Sequence, residues 1–308
     1  MSDLIDRVTS LLKQNNITTN EAALSSITIG ASGANIFSCN DQYIVKYVNS
    51  ADGIRGYQRE YDIYNVFASK IDFVPEVIFQ TSDDFEMLIV LKKYAPVKKM
   101  MWDEAMQLRA ADLCARINTF DHDALGVSLP SDDERESYDY DLSLSYENWG
   151  RLQNKFPNHI DAQLLKQMYG DYDDVVALSE ILPIPKTFCH GDLHPGNFLL
   201  NGDSLLVCDW QEARIGKGIG DIAFFCNRGG AMRIGIDKAA LVDGYRKSLV
   251  KHANIDVALD IFLRYMAASE FHVSFKFWAE HLLKSDLERV LKIYTTMVDN
   301  YNASRKNL

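Results

Sequence analysis

The sequence predicts an α+β fold in two lobes, a small strand-rich unit followed by a larger, mainly helical one. Three observations predict it. Short β-branched and aromatic runs separated by turn residues fill the chain up to about residue 92. After Pro96 the apolar spacing changes to a four-three rhythm. The 308 residues also amount to about two units at roughly 150 residues each. The division expected is an N-terminal lobe of residues 1–93, an antiparallel sheet with one internal helix, and a C-terminal helical lobe of residues 94–308.

The elements follow in order. Residues 2–15 read as an amphipathic helix with Leu4, Val8, Leu11 and Leu12 on one stripe. Residues 27–29 and 36–39 are β-rich and flank a Gly-containing turn, and residues 43–48 form a further strand. Residues 55–69 read as a helix carrying Tyr57, Tyr61 and Tyr64 on one face. Strands follow at 77–80 and 86–91 around Ser82-Asp83-Asp84. In 103–120 the residues Met106, Ala110, Leu113, Ile117 and Phe120 make a helical stripe, and helical patterns return at 160–181, 238–251, 256–276 and 279–302. Between them Phe198-Leu199-Leu200 and Leu205-Leu206-Val207-Cys208 form a hairpin across Asn201-Gly202-Asp203-Ser204. The acidic run 131–136 is a solvated loop or a cation-attracting rim.

Composition narrows the function classes. With 47% hydrophobic and 24% charged residues a packed core is available and wholesale disorder is not expected. The balance of 32 basic to 43 acidic residues, net −11, argues against a nucleic-acid binder, which needs a basic face. It permits a cationic small-molecule ligand. No apolar run approaches the ~18 residues of a membrane span. Met1-Ser2-Asp3-Leu4-Ile5-Asp6 lacks a basic and an apolar signal region, so no signal peptide is expected. The five cysteines include no C-x-x-C pair, which suits reduced thiols in a cytoplasmic protein, monomeric or homodimeric.

The chemistry concentrates in His190-Gly191-Asp192-Leu193-His194-Pro195-Gly196-Asn197, continuing through the hairpin to Asp209-Trp210-Gln211. Asp192 and Asn197 lie five apart around a Pro-Gly turn, so both can reach one cavity. A tight hairpin returns Asp209 to the side of Asn197. Two carboxylates and an amide oxygen then converge, a donor set that suits Mg²⁺ shared with substrate phosphates, with one acid left to handle a substrate proton. His190, Asp192 and His194 also alternate, and with Asp209 they could be read as a metal-hydrolase site; the Pro195-Gly196 turn interrupts such a strand.

The string matches the H-x-D-L-x-x-x-N loop and following metal Asp of kinase folds. In its His-Gly-Asp-Leu-His-Pro-Gly-Asn form it resembles the aminoglycoside phosphotransferase and choline kinase superfamily. The resemblance implies a protein-kinase-like bilobal fold and an ATP- or GTP-dependent phosphotransferase that moves the γ-phosphoryl group to a hydroxyl of a small molecule, with Mg²⁺ as cofactor. It implies Asp192 as catalytic base and Asn197 and Asp209 as Mg²⁺ ligands. His190 and Asp221 would brace the loop, and His194 reads as a supporting residue. In the first lobe, Ile27 to Ile36 resembles the nucleotide loop, with Ser32 and Gly33 at the phosphates. Lys46 resembles the lysine on the α- and β-phosphates, and Glu60 the glutamate that aims it. Lys92-Lys93-Tyr94 would offer backbone groups to the base.

Departures from the protein-kinase pattern select the class. Gly191 replaces the arginine that engages a phosphorylated activation loop, Asp209-Trp210-Gln211 replaces Asp-Phe-Gly, and no Ala-Pro-Glu follows. A small-molecule acceptor is therefore expected over a protein, with a nucleotide-binding pseudokinase or regulatory module as the alternative. An aminoglycoside-like or other hydroxylated amine fits the family, and its pocket could draw on Glu270, Glu280, Phe271, Phe275, Trp278 and Trp149. The same aromatics at helical spacing also read as core. Gln211-Glu212 replaces the acidic-aromatic continuation of choline kinases, so choline is not favoured.

Overall fold

A computed structural model describes residues 2–18, 23–27, 34–67, 71–121, 123, 126–131 and 141–305. The first lobe is an antiparallel sheet of β1 (Leu24–Ser26), β2 (Asn35–Cys39), β3 (Tyr43–Val48), β4 (Val77–Ser82) and β5 (Met87–Lys92), in the spatial order β1-β2-β3-β5-β4. Alternation along β3 and β5 sorts their side chains between two cores. Val45, Tyr47, Leu88 and Val90 meet Val8, Leu11 and Leu12 of helix α1 (Ser2–Gln14), which covers one face. Val48, Met87, Ile89 and Leu91 face the opposite way, into the main core with helix α2 (Ala51–Phe67). Lys46 lies on this second face of β3.

That main core runs without a break into the second lobe. Phe67 of α2 packs edge-on to Trp210 at 5.4 Å between ring centroids. Trp210 in turn stacks on Phe188 at 5.7 Å, nearly parallel. The chain crosses between lobes through β6 (Ala95–Pro96), which pairs with β8 (Phe198–Asn201); β8 forms the hairpin with β9 (Ser204–Val207). Pro96 stands in the edge strand, where a missing N–H is tolerated. A second antiparallel pair joins β7 (Lys186–Cys189) to β10 (Arg214–Lys217).

The helices are α3 (Glu104–Asn118), α4 (Leu142–Lys155), α5 (Ala162–Gly170), α6 (Tyr172–Ile181), α7 (Ile219–Ala231), α8 (Lys238–Ala253), α9 (Leu259–His272), α10 (Trp278–His281) and α11 (Leu287–Arg305), with a π-helical stretch at Val273–Phe277. Several starts are written in the sequence as aspartate caps. Asp103, Asp141, Asp161 and Asp237 each accept a backbone N–H from the first turn of α3, α4, α5 and α8. Among the described residues no helix is long and apolar enough to cross a membrane.

The expected boundaries shift in places. The first strand ends at Ser26, ahead of residues 27–29, although Ile27 N–H still donates to Ile36 O. The pattern at 160–181 is two helices broken at Asp171, and 279–302 becomes α10 and α11. The acidic run beyond Ser131 lies outside the described residues through residue 136.

A second helical core packs α4, α5, α6, α9 and α11. In it Tyr172 and the Nδ1 atom of His272 share a hydrogen bond. Burial, aided by Lys276, pushes the His272 imidazole down to about 4. The folded protein thus keeps this ring neutral while the unfolded chain protonates near 6.5. The unfolded state binds more protons between those values, so stability falls as pH drops from 6.5 toward 4. His272 should account for about 2 kcal/mol of the loss at pH 5. In urea unfolding at pH 7.5 and pH 5, His272→Gln should narrow the difference by that amount; an unchanged difference would refute the assignment.

Candidate active site

Lys46 is the first fixed point. Its Nζ lies 2.7 and 2.9 Å from the two carboxylate oxygens of Glu60 and 3.1 Å from Asp209 Oδ1. Glu60, in the buried face of α2, is fully shielded from solvent. Desolvation alone would lower the Lys46 ammonium, but Glu60 and Asp209 outweigh it and hold the group charged, with its pKa raised. Asp209 sits just beyond β9 in the left-handed region, at φ 73°, a conformation aspartate tolerates better than most residues. Burial opposes its ionisation, yet Lys46 keeps its pKa below the usual carboxylate value. The turn is anchored by Trp210, fully buried, whose Nε1 donates to Val207 O at 3.1 Å.

The second fixed point is the loop after β7. Asp221, in the first turn of α7, accepts the backbone N–H of His190 at 2.9 Å and of Gly191 at 2.8 Å. Asn118 of α3 donates from Nδ2 to Phe188 O at 2.8 Å and to Asp221 at 3.3 Å, and Tyr245 of α8 donates to Asn118 Oδ1. Three helices thus hold one loop. Gly191 is at φ 86°, and a Cβ there would sit 1.9 Å from Glu212 O, so no other residue fits without moving the segment. His190 accepts from Asp192 N–H through Nδ1, so its Nε2 carries the proton and donates to Cys208 O at 3.1 Å. Burial pushes this imidazole down to about 4 and keeps it neutral.

Asn197 ends a 3-10 turn at Pro195–Asn197. Its Nδ2 donates to the backbone O of Asp192 at 2.9 Å and to Oδ2 at 3.3 Å. Cys208 N–H donates to Asn197 O at 3.1 Å. That bond brings Asn197 and Asp209 together across the base of the hairpin, as its closure requires. Asp192 is half-buried, and burial with the nearby Asp209 charge pushes its carboxyl up to about 6. Two carboxylates in one site are therefore driven apart, one lowered by an ammonium and one raised by desolvation.

The family model described as the phosphotransferase enzyme family, APH, matches residues 24–249. The chain belongs to this phosphotransferase family. Membership makes it a small-molecule kinase, and the two-lobed fold agrees with solved structures over nearly the whole chain. The ADP-bound aminoglycoside phosphotransferase APH(2'')-Ib is 17% identical with a TM-score of 0.59, covering 97% of this chain and 98% of its own. The GDP and kanamycin complex of APH(2")-IIIa is 13% identical, TM-score 0.61, covering 97% and 99%. The macrolide 2'-phosphotransferase MphH from Brachybacterium faecium is 13% identical, TM-score 0.58, covering 95% and 98%. No curated protein matches the chain in sequence.

Against this family frame the expected site residues separate into three groups. Lys46, Glu60, Asp209, Asn197 and Asp192 come together as described. Ser32 and Gly33, with the rest of their turn, lie outside the described residues. The amine pocket does not form as expected. Phe271, Phe275 and Trp149 are fully buried in the second core, where Trp149 Nε1 donates to Phe275 O at 3.0 Å. Glu270 is buried and already bound by Lys238 at 2.6 and 2.8 Å and by Asn300 at 2.9 Å. Trp278 packs against the edge of the same core from α10, which also carries Glu280. The metal-hydrolase reading also fails, because both ring nitrogens of His190 and Nδ1 of His194 are already committed to backbone groups. Sequence reasoning missed Arg59, whose guanidinium donates to Gln211 O at 2.7 Å and adds a further tie between the lobes. Its place one residue before Glu60 was the only signal.

Asp221→Ala leaves one buried and one half-buried backbone N–H without an acceptor, and each such orphan costs roughly 1–3 kcal/mol. We expect about 3 kcal/mol of lost stability by urea unfolding, with Asp221→Asn intermediate and Asp192→Asn close to neutral. Equal costs at Asp221 and Asp192 would contradict the division into brace and working group.

Proposed function

We propose that the protein transfers the γ-phosphoryl group of ATP or GTP to a hydroxyl of a small hydroxylated amine. The observation that carries this reading is the Lys46 ammonium held between Glu60 and Asp209, next to the Asp192–Asn197 pair. An ammonium fixed in this way is built to meet phosphate oxygens, and phosphoryl transfer needs positioning and charge stabilisation above all. Relatives of the same fold were solved with ADP in one case and with GDP and kanamycin in another, which supports a nucleotide co-substrate and an amine acceptor. The net charge of −11 agrees with such an acceptor. The N-terminal lobe, residues 1–93, would bind the nucleotide, with Ser32 and Gly33 at its phosphates. The helical lobe, residues 94–308, would bind the acceptor. A cytoplasmic location belongs to the same reading.

The donor set fits Mg²⁺. Asp209 engages Lys46 through Oδ1 alone, and Asn197 spends its amide nitrogen on Asp192, so its oxygen points along the other arm of the amide. Hard oxygen ligands, one of them a carboxylate, suit an ion that keeps waters and shares phosphates. Asn197 and Asp209 would hold the ion, which when bound neutralises phosphate charge.

Asp192 is the base in this scheme. Its carboxylate takes the proton of the acceptor hydroxyl as the new oxygen–phosphorus bond forms and the bond from the γ-phosphorus to its bridging oxygen breaks. A carboxyl raised toward 6 is a better proton acceptor than an ordinary aspartate and stays ionised at neutral pH. The base-binding edge is narrower than the sequence suggested. Lys92 N–H already donates to Glu76 O at 2.9 Å and Lys93 N–H to Gln42 O at 2.8 Å, so these two N–H groups are not free to meet the purine.

The test is ADP or GDP release with Mg·ATP or Mg·GTP against kanamycin, a macrolide, choline, ethanolamine and homoserine. Asp192→Ala should lower kcat by about 10²–10⁴-fold while nucleotide still raises the melting temperature. Asp209→Ala should abolish the Mg²⁺-dependent part of that thermal shift. Wild-type turnover in Asp192→Ala would overturn the base assignment. An unchanged Mg²⁺-dependent shift in Asp209→Ala would overturn the ligand role.

A further inference from the structure

His194 does two jobs with two nitrogens. It opens the 3-10 turn, and its Nδ1 accepts the Gly196 N–H at 3.0 Å. An acceptor at Nδ1 places the ring proton on Nε2, and Nε2 lies 3.6 Å from Asp192 Oδ2. Asn197 Nδ2 approaches the same oxygen at 3.3 Å. Both donors converge on Oδ2, and neither reaches Oδ1. Resting on the reading of Asp192 as the base, we propose that His194 is a positioning residue that holds the Asp192 carboxylate by Oδ2 and leaves Oδ1 to take the acceptor's proton.

Two features support this over a plain turn cap. Capping needs one acceptor atom, and Ser, Thr, Asp or Asn supply it with less bulk. Histidine is the side chain that caps through one atom and still presents an N–H from the far side of its ring. Next, the ring is held in place. It packs against Phe224 of α7 at 6.2 Å between centroids, and the Arg228 guanidinium lies over the same phenyl ring at 5.9 Å. A Cβ at Gly196 would sit 2.8 Å from His194 Cε1 and 3.0 Å from Nδ1, so the glycine gives the imidazole its place above the turn. A separation of 3.6 Å is slightly beyond a hydrogen bond, and such catalytic contacts shorten when the substrate complex forms.

His194→Asn is the discriminating variant, because asparagine keeps the cap and removes the far donor. Gly196→Ala is its complement, displacing the ring while keeping it. Mg·ATP turnover, with water or any acceptor from the panel, should fall about tenfold to a hundredfold in kcat in both. KM for nucleotide should stay within about twofold, and the melting temperature of His194→Asn should be unchanged. In ¹⁵N-histidine NMR of the whole protein at pH 7.5, His194 should show the neutral Nε2–H tautomer, and Asp192→Ala should move the Nε2 resonance while Nδ1 stays. An Nδ1–H tautomer, an imidazolium, or an Nε2 resonance indifferent to Asp192 overturns the proposal. Full kcat in His194→Asn with turnover lost in Asp192→Ala overturns the His194 role alone. Full turnover in Asp192→Ala overturns the base reading and this role with it.

Discussion

One buried ammonium sets the terms for the rest of the structure. Glu60 is fully enclosed, and an enclosed carboxylate is tolerable only when a cation meets it directly, because its desolvation costs several kcal/mol. Lys46 is that cation, and its remaining reach is satisfied by Asp209 from the other lobe. Three elements far apart in sequence must therefore agree in position. Strand β3 has to present its inner face at residue 46, α2 has to lie with Glu60 toward the sheet, and the turn after β9 has to bring Asp209 up at φ 73°. The aromatic packing reads as the means of enforcing that agreement. Trp210 follows Asp209 directly and is wedged between Phe67 of α2 and Phe188 of β7, so the apolar core fixes the backbone that carries the charge.

The same geometry divides labour between carboxylates that are alike in sequence. Asp209 has an ammonium beside it, which outweighs burial and holds its pKa below the usual carboxylate value. Asp192 has none, and feels burial and the Asp209 charge instead, so its pKa rises. Asp221 is used as an acceptor for two backbone N–H groups. Which oxygen of each group is engaged matters as much as its charge. Asp209 spends Oδ1 on Lys46, and Asp192 is approached at Oδ2 by Asn197 and His194. Each of these two carboxylates is thus approached through one oxygen.

Much of this was legible in the sequence because it is local or forced by closure. The string from His190 to Asn197 fixes its own turn, and a hairpin with Asn201-Gly202 at its tip can only return Asp209 toward Asn197. Glu60 was readable because it shares the buried face with Tyr57 and Tyr64. What stayed hidden depends on partners remote in sequence. Helix α4 was missed because its apolar stripe is short, with only Trp149 and Leu152 as fully enclosed apolar side chains among polar neighbours. Strands β6, β7 and β10 have between two and four residues, too few for an alternation to show. Glu270 looked available for a ligand because nothing nearby in the chain announces Lys238 and Asn300.

That last point bears on how the acceptor is recognised. Helical spacing reveals which face of a helix is buried, and it is silent about whether protein or ligand covers that face. Here protein covers it. Phe271, Phe275 and Trp149 close on each other and on α11, and the one buried carboxylate among them is neutralised by a lysine. The π-helical stretch after α9 has two of its carbonyls taken by Trp149 Nε1 and Ser145 Oγ from α4. This region is therefore sealed by its own polar groups. The core helices act as a foundation, and under the proposed function acceptor selectivity would fall to surfaces that face Asp192. Of these, α7 is tied to the loop at Asp221 and presents Phe224 and Arg228 on the same face, three and seven residues further along. A cation at that position works against a polycationic acceptor lying flat on α7. An amine acceptor would have to approach with its hydroxyl toward Asp192 and its charged groups turned away from Arg228.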